Sequence, residues 1–158
     1  MTANNEGETI KSTDSISYNI KVTNNGTDSI NYLDLRQNLS QYIDVKKVSV
    51  NGNEMEFDRV KATNNENSEE SDEYSIEIIY KDPIDVGESA EFLVETQTED
   101  NYISEKDIQL TSIAQAKVRS LVVTSEEVNH VMLANSETDS DSSDDTGDND
   151  SNNNSSTD

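Results

Sequence analysis

Residues Ser15–Gly26, reading Ser-Ile-Ser-Tyr-Asn-Ile-Lys-Val-Thr-Asn-Asn-Gly, constrain this chain more than any other stretch. Ile16, Tyr18, Ile20 and Val22 alternate with polar residues, which predicts a strand with one buried face. Asn25-Gly26 closes the run, and Asn-Gly is a strong turn signal because both residues tolerate positive φ.

The same period recurs along the chain. Glu8–Lys11 predicts a short first strand, after a polar lead-in over 1–7. Ile30–Leu39 supplies Ile30, Tyr32, Leu33, Leu35 and Leu39. Ile43–Val50 alternates imperfectly around Lys46-Lys47, which predicts a bulge. Asn51-Gly52-Asn53 reads as a hairpin turn into Glu54–Val60, with Met55, Phe57 and Val60 inward. Ala62–Glu73 has almost nothing to bury and reads as a long exposed loop. Tyr74–Tyr80 alternates again, and the single proline, Pro83, marks a turn. Ser89–Thr98 sets Ala90, Phe92, Val94 and Thr96 on one face with Leu93 opposite. A polar loop over Glu99–Lys106 leads to Ile108–Val118, and Leu121–Leu133 closes the fold with Val122, Val128 and Met132 as apolar positions. Short strands at steady spacing, with turn residues between them, predict an all-β, immunoglobulin-like antiparallel sandwich of about seven strands. The domain organisation expected is a lead-in over 1–7, a sandwich over 8–134 and an acidic linker over 135–158.

Charge decides which partners are excluded. The 158 residues carry a formal net charge of −23, so a positive field for phosphate is absent, and neither nucleic acid nor an anionic membrane is expected as partner. No apolar run is long enough to span a bilayer, so no membrane insertion is expected in this segment. The first residues lack the basic and apolar regions of a signal peptide; an exported protein would carry this sequence as an internal piece. There is no cysteine, hence no disulfide framework and no thiolate metal site. From Ser136 onward no aliphatic or aromatic side chain occurs, and a Ser/Asp/Asn run of that kind cannot offset its ordering entropy. It is expected to be a disordered acidic linker.

Several pieces, in order, resemble a known family. Ser15–Gly26 resembles the Y-x-I-x-V-x-N-x-G strand that opens the immunoglobulin-like conserved repeats, of unknown function, of bacterial Gram-positive cell-surface proteins. Asp34–Leu39 sits where that family has an x-D-x-L-P strand end, here without the proline. Val86–Phe92 resembles its P-G-E-S turn. Ser112–Val118 resembles its N-x-A-x-V strand, with serine in place of asparagine, and Thr124–His130 resembles its closing T-S-N-E-V-T-H. The resemblance implies an extracellular stalk or spacer module of a larger exported protein, at the cell surface or cell wall. Its partners would be neighbouring domains of the same protein. The alternative is an adhesin-type binding module contacting a host or matrix protein through loops such as Ala62–Glu73.

No catalytic, cofactor-binding or metal residues are assigned. His130 is the one histidine; a Ser–His–Asp device needs an oriented base, and a surface or edge position on the closing strand is expected. Carboxylates are abundant, but there is no Trp and only 5% aromatic residues, so a sugar-stacking cleft is not expected and the chain is not read as an enzyme. Asp148–Asn152 fits ligand positions one, three and five of a calcium loop, yet position six is Asn153 and the chain stops before position twelve. A solvated linker is the better reading, so no cofactor is expected, with calcium as the one candidate. A Lys–Asn isopeptide crosslink would need Lys11 or Lys21 beside Asn129 and a buried carboxylate, but the alternation puts Lys21 on the solvent face.

Overall fold

The computed structural model describes residues 1–61, 73–99 and 104–134. The expected loop at 62–72, most of the polar loop after Glu99 and the acidic linker therefore lie outside the described residues. The strands are β1 (Thr2–Ala3), β2 (Thr9–Ile10), β3 (Ser15–Thr23), β4 (Leu33–Ser40), β5 (Ile43–Val50), β6 (Asn53–Met55), β7 (Asp58–Lys61), β8 (Glu73–Tyr80), β9 (Ser89–Thr98), β10 (Ile108–Val118), β11 (Leu121–Thr124) and β12 (Val128–Met132). Those of five or more residues are β3, β4, β5, β8, β9, β10 and β12; the others are short additions at edges and crossings.

Two sheets face each other. One has the order β1-β3-β9-β5-β6, and the other β2-β12-β10-β4-β8-β7, with β11 paired to β10. The alternation within the strands builds the core between them. Ile16, Tyr18 and Ile20 from β3 meet Ala90, Phe92 and Val94 from β9, and Leu33, Leu35 and Leu39 from β4 join Ile76 and Ile78 from β8. Phe92 is fully buried, with its ring edge-to-face on Tyr80 at 5.5 Å. Pairing is antiparallel except for β2 with β12, which is parallel.

Most strand boundaries follow the expected ones, and the bulge at Lys46 appears as a register shift between Val45 and Lys47. Asn51 and Gly52 both have positive φ, 47° and 84°, and close a two-residue hairpin between Val50 and Asn53. Other expectations are refined or corrected. Within the polar lead-in, Thr2–Ala3 pair with β3 at Asn19 and Tyr18. The turn expected after β3 is present as bends over Gly26–Asp28; since β3 pairs with β1 and β9, it carries the chain across to the second sheet, and Asn25-Gly26 is not what anchors it. Asn24 anchors it instead. Buried, its amide donates to the carbonyls of Asp28 and Ile84 at 2.9 and 2.8 Å, and its Oδ1 accepts from Gly26 N–H at 3.0 Å.

The other corrections concern which residues face inward. Tyr32 precedes β4 and is 52% exposed, because β4 starts at Leu33 and buries Gln37 in step with Leu35 and Leu39. Glu54–Val60 is not one strand: β6 and β7 belong to different sheets, joined across the sandwich edge by Glu56-Phe57. Leu121–Leu133 is also broken. β11 and β12 follow one another along the same side of β10, with a slip at Ser125 whose N–H donates to Ala114 O at 2.8 Å. Val122, expected in the core, is half exposed.

Candidate functional site

The hairpin turn at Asn51-Gly52 sends β6 back along β5, and the crossing at Glu56-Phe57 takes the chain to β7. Among the described residues β6 and β7 are the outermost strands of their sheets on this edge, and each has one unpaired backbone side. Between them and the Tyr80–Asp82 segment lies an open groove of about 790 Å³. Its apolar wall includes Val50, Met55, Phe57 and Ile79, with Tyr32 at the exposed rim.

The groove is strongly acidic. Glu54, Glu56, Asp58, Glu77 and Asp82 line it, against the single cation Lys81. Glu77 is neutralised by Arg36 at 3.2 Å, and Glu54 lies 3.8 Å from Lys47. Among the described residues, Glu56, Asp58 and Asp82 form no ion pair. The Tyr80 phenol is held above its usual range by burial and then by the Asp82 charge. The charge of such a groove favours a cation or a basic polypeptide, and its lining residues include no Ser, Thr, Cys or His. Sequence reasoning missed it because its carboxylates looked like ordinary solvated residues until the chain crossing gathered them.

A second exposed surface sits on the far edge. Leu121, Val122 and Val123 are 64%, 50% and 56% exposed. Leu121 pairs with Val118 and Val123 with Ala116, and directly opposed residues share a face. Ala116 and Val118 pack on the core cluster, so Leu121 and Val123 continue the core face beyond the point where the opposite sheet covers it.

The residues singled out from sequence are placed as follows. His130 is not a surface or edge residue: it is 1% exposed, on the inward face of β12 with Val128 and Met132. Its Nε2 lies 3.1 Å from Asn4 O, its ring stands edge-on to Tyr18 at 6.1 Å, and its buried Nδ1 has no hydrogen-bond partner among the described residues. The Tyr18 phenol is held well above its usual range by burial, and secondarily by Tyr74. Lys11 is exposed, and Lys21 lies 3.8 Å from Glu91 at the surface. Asn129 Oδ1 accepts from Thr111 Oγ1 at 2.8 Å, and no carboxylate is among the buried polar groups described, so the crosslinking triad is not assembled. Among the described residues no three His, Cys, Asp or Glu side chains are placed to hold a metal. Asp148–Asn152 lies outside them.

No family model and no curated protein sequence matches this chain. Solved structures do. The fold is similar to the N-terminal domain of the Streptococcus gordonii adhesin Sgo0707, with TM-score 0.55 and 14% identity over 83% of this chain and 31% of that one. It is also similar to the C-terminal domain of the Streptococcus agalactiae AgI/II polypeptide BspA, with TM-score 0.53 and 10% identity over 84% of this chain and 49% of that one. The chain thus spans between about a third and a half of the length of these structures. At such identities the likeness is one of fold.

Proposed function

We propose that this chain is a non-enzymatic structural module of a bacterial, Gram-positive cell-surface protein. It acts as an extracellular spacer that holds other domains away from the wall, with neighbouring modules as its partners. The fold shared with a domain of a streptococcal adhesin and with the C-terminal domain of the streptococcal AgI/II polypeptide BspA supports the location. The observation that carries the spacer role is the direction of the first and last strands.

β1 runs antiparallel to β3, and β2 runs parallel to β12. Both N-terminal strands and the C-terminal strand therefore head toward the end of the sandwich where Lys11, Asp14, Thr98 and Ala134 lie. The opposite end holds Asn24, Gly87 and the Arg119 turn. The chain thus enters beside Asn19, midway along β3, and its first and last strands run in one direction toward the end where it leaves. Gly7 N–H donates to Asn129 O at 2.9 Å, Val131 N–H to Glu8 O at 3.3 Å and Leu133 N–H to Ile10 O at 3.0 Å. Opposite pulls on the two ends of the chain load these three bonds together, in shear. The longest strand, β10, has 11 residues, so each module spans roughly 36 Å at ~3.3 Å per residue.

Replacement in the parent surface protein tests the role. Exchanging this module for an unrelated β-sandwich of equal length should leave the display height and binding activity of the distal domain intact, whereas deletion should reduce both. Loss of binding on exchange at unchanged height would overturn the spacer reading in favour of a module that itself binds a host or matrix protein. The acidic groove is the observation favouring that second reading.

A further inference from the structure

The two exposed surfaces described above complement each other. The β10–β11 hairpin is a cationic, aliphatic edge in an otherwise acidic protein. Lys117 and Arg119 form no ion pair among the described residues, and Leu121 and Val123 extend an uncovered apolar face. Among the described residues the outer backbone side of β11 is unpaired. The groove on the opposite edge supplies a free strand, β6, an apolar wall of Met55 and Phe57, and three carboxylates without ion pairs.

We propose that copies of this chain associate through these faces, with β11 of one copy laid along β6 of the next. The backbone pairing is edge-strand addition. Leu121 and Val123 cover Met55 and Phe57, while Lys117 and Arg119 face Glu56 and Asp58. Pairing of two identical β11 edges is disfavoured because each brings its own Lys117 and Arg119 to the other. The net charge of −23 repels copies at a distance, but at physiological ionic strength the screening length is about 8 Å, so contacts within the interface outweigh remote charges. The strands involved are short, so one contact is weak; copies crowded on a surface gain from local concentration. The contact is heterologous, so it does not close on itself and propagates from copy to copy. This goes beyond the spacer role; only the gain from crowding rests on the surface location proposed above.

Sedimentation of the full chain over rising concentration tests the contact, using two variants. Leu121→Asn with Val123→Asn removes the hairpin's apolar face, and Glu56→Lys with Asp58→Lys reverses the groove; all four positions are solvent-exposed or edge residues. The wild-type mass should climb past dimer with concentration, and each variant alone should need about tenfold more protein or stay monomeric. Mixed one to one, the variants should form a dimer and nothing larger, since one keeps an intact groove and the other an intact hairpin. A wild type that stays monomeric throughout would overturn the proposal. So would association that survives reversal of the groove, which would mean that β11 pairs with β11.

Discussion

His130 Nε2 lies 3.1 Å from the carbonyl oxygen of Asn4, so the last strand of the fold holds the segment that follows the first. The imidazole fills a core position between that carbonyl and the Tyr18 ring. Removing it opens a cavity and deletes the bond. His130→Ala should therefore cost about 3 kcal/mol in urea unfolding, in the range for a large buried side chain. A loss below about 1 kcal/mol would place the ring outside the core.

Asn24 makes a sharper prediction, because its amide and carbonyl oxygen each face a defined partner. Two carbonyls, of Asp28 and Ile84, accept from Nδ2. A carboxylate there would set oxygen against oxygen in a buried site. Asn24→Asp should destabilise the fold at least as much as Asn24→Ala, each by about 2–3 kcal/mol. An Asp variant as stable as the wild type would show that the amide donor is dispensable.

Burial of the strands was legible in the sequence because their polar and apolar residues alternate cleanly. Tyr74, Ile76, Ile78 and Tyr80 are all buried, and so are Ala90, Phe92, Val94 and Thr96. What the pattern could not reveal was pairing between distant segments. Asn25-Gly26 and Asn51-Gly52 are the same dipeptide, yet only the second makes a hairpin. The first follows a strand whose two neighbours are β1 and β9, and Asn24 captures the turn instead. His130 was misplaced because a polar residue in step with Val128 and Met132 reads equally well as an interruption or as a buried group with a distant partner. The groove was invisible for a related reason: Glu56, Asp58 and Asp82 are brought together only when the chain changes sheets.

Tyr74 gives the pH dependence. Burial raises its phenol from the usual 10.0 to about 12, against the lowering effect of Arg59, which stacks 3.8 Å from the ring centroid. The folded protein holds this proton more tightly than the unfolded chain does. The stability it confers is full below pH 10 and is lost as pH rises through about 12. Tyr18 shifts in the same direction. Urea midpoints should fall steeply above pH 10, and less steeply in Tyr74→Phe, which gives up the 2.6 Å bond to Ile43 O at about 1 kcal/mol. A Tyr74→Phe protein with an unchanged alkaline slope would contradict the assignment.

Arg119 occupies the first turn position of the β10–β11 hairpin with φ of 55°, a conformation natural to glycine. Arg119→Gly should relieve this strain and stabilise the monomer by about 1 kcal/mol. It should also weaken association between copies, because the cation is gone. A glycine variant that is less stable would mean that the arginine makes a stabilising contact within its own chain.

The central claim is that tension entering at the first strand and leaving at the last loads this module in shear. Because the chain has no cysteine, paired cysteine handles can direct single-molecule pulling. Handles at Thr2 and Ala134 load the bonds between β2 and β12 in shear, whereas handles at Gly7 and Glu127 open the same strand pair one bond at a time. The account predicts a clearly higher unfolding force for the first pair of handles than for the second. Equal forces, or a lower force between Thr2 and Ala134, would contradict it.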